Sequence, residues 1–354
     1  MDLLNRKHNI FKDKIRYIVK HPFFGFIAFG AVLVILLIIH LMGVNIPITA
    51  IGKLLIYIIV GLGFSLLLGY SGLASLGTSG FIGLGTYFLG YFMGKLNLPF
   101  ISILVITIIA AIALGLIVGF ISLRIEGMYL AIITLGLSEI LVKVFNNADK
   151  ITGGTNGMGL KRFKLFGLNF NEDMTFVFLV ISLVIIMMLT LNIMKSPTGR
   201  AMTAMKNSES AAQSMGISVF KYRLIAFIIS TVYAMIGGLL LMSFNKRSLP
   251  SQWNLAMSLN ILAAVIVGGP RSIWGIVLGT FLIFGVDLVI LQRISFFRSN
   301  PNFTVVFNGV LIILVVMFYP GGLSRLIQTI KVKLSSLYKR LKLKRKEYRY
   351  GKDV

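Results

Sequence analysis

Ionisable side chains inside long apolar runs are the residues of this sequence most able to carry chemistry. Glu139, Lys143 and Asp287 lie within such runs, and each would cost about 2.5 to 3.5 kcal/mol at the centre of a bilayer. Glu139 and Lys143 are four residues apart with the acid first, which favours an ion pair on one helix face. Asp287 lies near the end of its run and could reach the interface. Three isolated charges do not form the proton or ion relay that is expected of an ion-coupled pump.

The sequence contains no residue pattern that is typical of an enzyme active site or of a metal site. His8, His21 and His40 are not clustered with carboxylates, so we predict no metal site and no catalytic residue. Each Gly-Lys pair is followed by Leu or Asp, whereas a Walker A phosphate loop needs Ser or Thr. The absence of cysteine excludes disulfides and thiolate chemistry. We expect a protein that is no enzyme and holds no cofactor, with any energising ATP bound by partner subunits.

The composition requires a membrane to position these residues. Of 354 residues, 57% are apolar and 13% charged, and mean hydropathy is +0.90, which excludes a soluble or a disordered chain. Apolar runs near the length of a bilayer crossing predict an all-α, polytopic transmembrane helix bundle of about ten spans. The run 255–268 is short and could be a broken or re-entrant helix, which leaves eight to ten. The runs are 23–43, 54–69, 76–94, 98–123, 127–145, 174–194, 222–244, 255–268, 273–291 and 303–319.

Basic residues set the orientation and the domain limits. Three segments hold 22 of the 35 Lys and Arg residues: the tail 1–21, the stretch 195–223 and the tail 320–354. An even number of spans separates each from the next, so the positive-inside bias places both termini and the loop 195–221 in the cytoplasm, around a transmembrane domain 22–319. No basic stretch is interleaved with aromatics, which argues against nucleic acid as a partner.

One loop conflicts with this orientation. The loop 146–173 carries Lys150, Lys161, Arg162 and Lys164, and the span order places it outside. We accept the conflict because charges well away from span ends are weak topology signals.

Both tails have amphipathic spacing. In the C-terminal tail, Leu323, Leu326, Ile330 and Leu334 recur at helical intervals among lysines. This pattern predicts a basic helix on the anionic membrane lipid of the cytoplasmic leaflet. A solvated charge run that only anchors topology is an equal alternative.

A glycine-rich stretch is the candidate solute path. Gly69 to Gly94 is dense in glycine and small hydroxyl residues, which is atypical of a uniform lipid-facing helix. Irregular backbone at membrane depth survives only beside protein or a water-filled cavity, so we predict a break there that borders a cavity. A tightly packed helix is the alternative. The predicted path residues in this stretch are Gly72, Ser75, Gly77, Thr78, Gly83 and Gly85.

The loop 195–221 is predicted to hold two short helices. Helix formers run from Arg200 to Lys206, after which Asn207 and Ser208 supply a cap for a second helix that stops at Gly216. Such a helix could sit in a groove of a partner, but from the residues alone a role as a plain connection between two spans is favoured.

The order of residues in this loop resembles the binding-protein-dependent ABC permeases, in which Glu-Ala-Ala followed by Gly marks a coupling helix. This chain has Glu209-Ser-Ala-Ala212 and then Gly216. More closely, the chain is similar to the branched-chain amino acid permeases of the LivM type through residues 53 to 290. The segments that carry the resemblance begin at Gly69 (GYSGLASLGT), Leu123 (LRIEGMYLAIITL), Thr152 (TGGTNG) and Val267 (VGGPRSIWG).

The resemblance implies a subunit of an importer in the bacterial plasma membrane for branched-chain or related amino acids. Its implied partners are a second permease of the LivH type, two ATP-binding subunits and an extracytoplasmic solute-binding protein. It also implies that Thr134 and Glu139 border the solute path. The alternative function is a passive channel or secondary carrier for a small polar solute such as urea. The residues implied in coupling are Glu209, Ala211, Ala212, Met215 and Gly216.

Overall fold

The computed structural model describes residues 23–123, 129–165, 167–291, 294–299 and 321–325, with isolated positions elsewhere between 303 and 329. The predicted tail 1–21, most of the predicted span 303–319 and almost all of the tail 320–354 lie outside the described residues. The amphipathic helices expected in the two tails therefore stay predictions.

Helices account for nearly all of the described secondary structure. Two spans end in π-helix, with Leu66–Tyr70 extending α2 and Phe281–Ile290 extending α12. The α-helices are α1 Phe24–Leu41, α2 Ile48–Ser65, α3 Thr78–Gly94, α4 Phe100–Ser122, α5 Tyr129–Asn147, α6 Asp149–Thr152, α7 Glu172–Lys195, α8 Pro197–Asn207, α9 Glu209–Ser214, α10 Val219–Asn245, α11 Leu255–Gly268, α12 Ile273–Thr280 and α13 Ser295–Ser299.

The all-α polytopic bundle is confirmed. In the described part of the chain, seven helical segments are long and apolar enough to cross a membrane, and α11 is a shorter apolar helix. The run 255–268 forms one uninterrupted helix of 14 residues, so it is short but not broken. The number of spans and the side of the termini stay predictions.

One predicted span begins too late. Helix α2 starts at Ile48, six residues before the predicted start at Leu54. The predicted run begins after Lys53 because hydropathy counts the lysine as a charge. A lysine can nevertheless lay its aliphatic stem along an apolar surface and keep its ammonium in a polar region. The helix therefore continues through a residue that interrupts the hydropathy pattern.

Helix α10 lies at the centre of the bundle and packs against α2, α3 and α4. The approach to α4 is close because Gly115 and Gly119 face Ile228 and Phe227 of α10 without side chains between them. The two glycines form a GxxxG pair, a spacing that lets helix backbones approach closely. Gly275 and Gly279 act alike, since both lie against backbone of α11.

Short strands lie at the end of the bundle opposite the loop 195–221. Strand β1, Met158–Gly159, pairs antiparallel with β4, Arg247–Ser248. Strands β2, Phe163–Leu165, and β3, Leu168–Phe170, form a hairpin. The sequence pattern predicted no strand, because segments of two or three residues carry no detectable alternation. The strands fold the loop 146–173 over the ends of the spans.

Candidate coupling loop and solute path

The first loop helix, α8, begins at a residue pair that the hydropathy and motif patterns did not mark. The Ser196 hydroxyl accepts a hydrogen bond from the Gly199 amide at 3.2 Å, and Pro197 fills the first helical position. Proline is favoured there because its missing N–H has no helical partner to lose. Met202 and Met205 of α8 are buried, which anchors the helix to the spans.

The second loop helix, α9, forms where the capping pattern predicted it. The Ser208 hydroxyl accepts from the Ala211 amide at 3.4 Å. The helix ends at Ser214, and Gly216 adopts a φ of +79°, a left-handed conformation that closes helices and favours glycine. The amide of Ile217 donates to the Ala212 carbonyl at 3.0 Å and completes the turn. Both predicted loop helices are confirmed.

An ion pair joins α9 to the start of α10. Two nitrogens of the Arg223 guanidinium donate to the two carboxylate oxygens of Glu209, at 3.2 and 2.7 Å. A bidentate pair fixes direction as well as distance, so Glu209 orients α9 relative to the long central helix. The loop motif pointed to Glu209 but not to this partner.

The predicted coupling residues divide into an anchor and an exposed tip. Ala212 is buried, while Ala211, Met215 and Gly216 are exposed. Met215 has 80% of its surface exposed, an unusual position for a large apolar side chain. The tip of α9 thus offers an exposed apolar surface, while the buried Ala212 anchors the same helix to the rest of the protein.

Two cations connect α8 to the end of α2. The Lys206 ammonium donates to the carbonyls of Leu68 and Gly69, at 2.8 and 2.9 Å. The Arg271 guanidinium donates to the same Gly69 carbonyl at 3.1 Å and to the Asn207 side chain at 3.2 Å. These carbonyls lie in the π-helical turn that ends the span, where backbone oxygens lack helical partners. We call this group the carbonyl latch.

The latch holds a partly desolvated cation. Desolvation of the Lys206 ammonium, and secondly the charge of Arg271 beside it, lower the pKa of Lys206. The two carbonyl oxygens compensate part of this cost. No sequence motif marks this contact, because Lys206 and Gly69 are far apart in the chain.

The predicted break lies immediately beyond the latch. Residues 71–77 separate α2 from α3 and form no helix. The Leu76 amide donates to the Thr134 hydroxyl at 3.0 Å, and the Ser79 amide donates to the Ser258 hydroxyl at 3.0 Å. Side chains of α5 and α11 therefore satisfy the freed backbone. Ser138 extends this buried hydroxyl group, with its oxygen 3.1 Å from that of Ser79.

The predicted path residues lie in different surroundings. Gly72 is exposed next to Lys206, while Ser75 and Thr78 are buried. The structure brings Gly77 against the Thr134 backbone, which joins two of the predicted residues in one contact.

Gly83 and Gly85 allow close helix packing. A Cβ on Gly83 would lie 2.7 Å from Phe145, and one on Gly85 would overlap the Met235 carbonyl oxygen. This close approach explains both glycines, whether or not solute passes nearby.

Helix α5 contradicts the predicted ion pair. Glu139 and Lys143 are both exposed, and among the residues that the structure describes neither forms a salt bridge. Gly136 lies one turn before Glu139 on the same face, and a Cβ there would meet no atom within 4 Å. The face of α5 thus has two intramembrane charges with no cover from the described chain.

Comparison with known proteins assigns the chain to a family. A family model described as "Branched-chain amino acid transport system / permease component" matches residues 46–316. The chain belongs to this permease family. The permease is 32% identical over 294 residues to the "High-affinity branched-chain amino acid transport system permease protein LivM" of Escherichia coli K12, covering 76% of this chain and 68% of that protein. No solved structure matches significantly.

Other relatives support the same family. The permease is 31% identical to LivM of Salmonella typhimurium, over the same shares of the two chains. It is 32% identical over 158 residues to a probable LivH permease of Methanocaldococcus jannaschii, covering 44% of this chain and 50% of that one. The resemblance from sequence is therefore confirmed, as are the permease subunit of an ABC importer and the multi-pass location in the plasma membrane.

Proposed function

We propose that this permease is one of two membrane subunits that import branched-chain or related amino acids, energised by ATP-binding subunits and supplied by an extracytoplasmic binding protein. The solute class follows the names of the LivM relatives. The observation that carries the proposal is the carbonyl latch, because it connects a cytoplasmic loop helix directly to the broken part of a span.

The ATP-binding subunits are proposed to grip the tip of α9. Met215 would insert into an apolar groove of the partner, and Ala211 and Gly216 would allow the partner backbone to approach. The Glu209–Arg223 ion pair keeps the tip oriented during contact. ATP is thus bound outside this chain, and ATP binding moves the loop as a unit.

Loop motion would reach the solute path through the latch. A shift of α8 pulls on the carbonyls of residues 68 and 69, just before the irregular segment 71–77. Leu76 of that segment is bonded to Thr134 of α5, and Ser79, in the first turn of α3 just beyond it, is bonded to Ser258 of α11. Rearrangement of these hydrogen bonds would move α5 and open or close the path on one side of the membrane.

The path itself is proposed to run along the exposed face of α5. A charge that faces lipid is costly, so intramembrane charges face a protein or a water-filled cavity. Glu139 would therefore lie at a wet boundary with the second permease, and a carboxylate there could attract the ammonium group of an amino acid. The existence of LivH as a related permease supports a similar but distinct subunit as that neighbour.

The experiment is uptake of labelled leucine by proteoliposomes that contain both permeases and both ATP-binding subunits, with binding protein outside and ATP inside. We expect uphill accumulation that requires every component. Gly216→Arg should abolish accumulation while the complex still assembles.

Gly43→Arg is the matched control, because Gly43 also has a positive φ and a Cβ there would meet no atom within 4 Å. Normal accumulation by Gly216→Arg would contradict docking at α9. Solute equilibration without ATP would instead support the passive carrier.

A further inference from the structure

The loop 146–173 violates the positive-inside bias, and the structure gathers three of its four basic residues at one place. Lys161, Arg162 and Lys164 line a cleft of about 600 Å³, together with Lys95 from the end of α3. The cleft lies at the end of the bundle opposite the coupling loop. Four cations around one cleft call for an anion, since mutual repulsion would otherwise disfavour the cluster.

The floor of the cleft is apolar. Met93, Leu98, Met158 and Leu160 line it beneath the cations, and none of the described residues that line it is acidic. A small inorganic anion would use only the basic rim. A basic rim over an apolar floor matches an amphiphile whose charged group and carbon skeleton are adjacent.

The cleft lies at the start of the span α4, where lipid headgroups would meet the protein. It is formed between the last turn of α3 and Pro99, which directly precedes the span α4. The Lys95 ammonium lies 5.6 Å from the centre of the Tyr91 ring, a pairing of residues that is typical of the membrane interface. Helix α4, which starts at the cleft, exposes apolar side chains such as Val105 and Ile109 along its length.

The basic rim is held in place. The ring of Phe163 in β2 is fully buried and packs edge-on against Phe100 of α4, with ring centres 5.4 Å apart. It also packs against Phe178 of α7 at 6.0 Å. Lys95 donates to the backbone carbonyl of Lys150, which connects the end of α3 to α6. The cations are therefore presented on a supported hairpin.

We propose that this cleft binds the phosphate-bearing headgroup of an anionic phospholipid in the leaflet opposite the coupling loop. The phosphate sits among the four cations, and the glycerol and first acyl carbons cover the apolar floor. An acidic protein surface is less suited, because its carboxylates would reach the rim and leave the floor between two span ends uncovered. The bound lipid fixes the ends of α3 and α4 relative to the hairpin.

The test measures which lipids remain bound to the purified permease. The protein is taken from nanodiscs of four parts phosphatidylcholine and one part phosphatidylglycerol into mild detergent, and retained lipid is counted by mass spectrometry. We expect enrichment of phosphatidylglycerol. The double variant Lys161→Gln with Lys164→Gln should weaken phosphatidylglycerol retention about thirtyfold. Each cation removed near a membrane surface weakens lipid binding about fivefold, and the two factors multiply.

Two further variants separate the cleft from general charge. Lys150→Gln with Arg247→Gln removes the same charge from exposed side chains that do not line the cleft, and should retain the lipid. Gly94→Phe adds a ring to the cleft with no change of charge, and should lose it. A Cβ at Gly94 would lie 3.8 Å from Leu160, an ordinary contact.

Three outcomes would overturn the proposal. Equal loss in both charge pairs would mean a nonspecific surface effect. Displacement of the lipid by millimolar inorganic phosphate or glycerol phosphate would mean a site for a soluble anion. Absence of enrichment, with retention of an acidic binding protein that is lost in Lys161→Gln with Lys164→Gln, would mean a protein-docking surface.

Discussion

Lys206 and Arg271 donate hydrogen bonds to the same backbone oxygen, the carbonyl of Gly69, at 2.9 and 3.1 Å. One cation comes from the coupling loop and the other from the turn between α11 and α12. A single carbonyl at the end of α2 therefore joins three parts of the chain. This convergence gives the loop a direct mechanical connection to the break at residues 71–77.

Removal of the Lys206 ammonium should uncouple ATP hydrolysis from uptake. Hydrogen bonds from a charged donor contribute about 1.5 to 3 kcal/mol each, so we expect Lys206→Met to lower leucine accumulated per ATP hydrolysed about tenfold. Lys206→Arg should retain most of the coupling. Lys195→Met is the control, because Lys195 is exposed at the start of the same loop. Equal coupling in Lys206→Met and Lys195→Met would disprove the latch.

The coupling of uptake to ATP hydrolysis should weaken as the pH becomes alkaline. Desolvation and Arg271 lower the pKa of Lys206, so this ammonium loses its proton at a lower pH than an ordinary lysine. As pH rises, coupling in the native protein should decline before other lysines titrate, and Lys206→Arg should remain flat over the same range. The measurement is the ratio of uptake to ATP hydrolysis from neutral pH up to the range in which ordinary lysines titrate. Parallel profiles for the two proteins would contradict this role of Lys206.

The Glu209–Arg223 pair should affect coupling more than stability. An exposed ion pair contributes only about 0.2 to 1 kcal/mol, so Glu209→Arg should leave the unfolding temperature nearly unchanged. Repulsion from Arg223 would misorient α9 and reduce uptake. The exchanged pair, Glu209→Arg with Arg223→Glu, should restore orientation and part of the uptake. A double variant no better than Glu209→Arg alone would show that Glu209 acts on a partner and not through Arg223.

Gly85 should be intolerant of any side chain. A methyl group there would overlap the Met235 carbonyl oxygen, and overpacking of this kind costs about 1 to 3 kcal/mol. Gly136→Ala should be neutral or stabilising, since a Cβ there meets nothing within 4 Å. Thermal unfolding in detergent compares the two variants. A loss of stability in Gly136→Ala equal to that in Gly85→Ala would contradict the described packing.

Glu139 should face water. The chain has no cysteine, so a single Glu139→Cys can be labelled with a water-soluble maleimide in the assembled importer. We expect labelling that slows when leucine and binding protein are added. Val105→Cys, on the exposed apolar face of α4, should not react. Absence of reaction at residue 139 would remove α5 from the solute path.

Local signals predicted much of this architecture. Hydropathy located the long apolar helices of the described chain, and the sequence Asn207-Ser208-Glu209 located the second loop helix because capping depends on neighbouring residues. Long-range contacts were not predictable in this way. The bond from Lys206 to Gly69 and the group of Thr134, Ser138 and Ser258 join residues of different helices, which no spacing rule records.

The wrong predictions have the same physical origin. The spacing of Glu139 and Lys143 allowed an ion pair, but spacing does not decide which rotamers the surroundings favour. The start of α2 was misplaced because hydropathy scores Lys53 by its charge and ignores its aliphatic stem. The strands of the loop 146–173 depend on pairing between distant segments and were missed.

The central claim is that the ATP-binding subunits bind α9 from the cytoplasm, and one labelling measurement tests it. A Met215→Cys variant is exposed to a membrane-impermeant maleimide from either side of sealed vesicles, with and without the ATP-binding subunits. We predict labelling from the cytoplasmic side alone, suppressed when those subunits are assembled. Labelling from the exterior, or labelling that the subunits leave unchanged, would contradict the grip on α9.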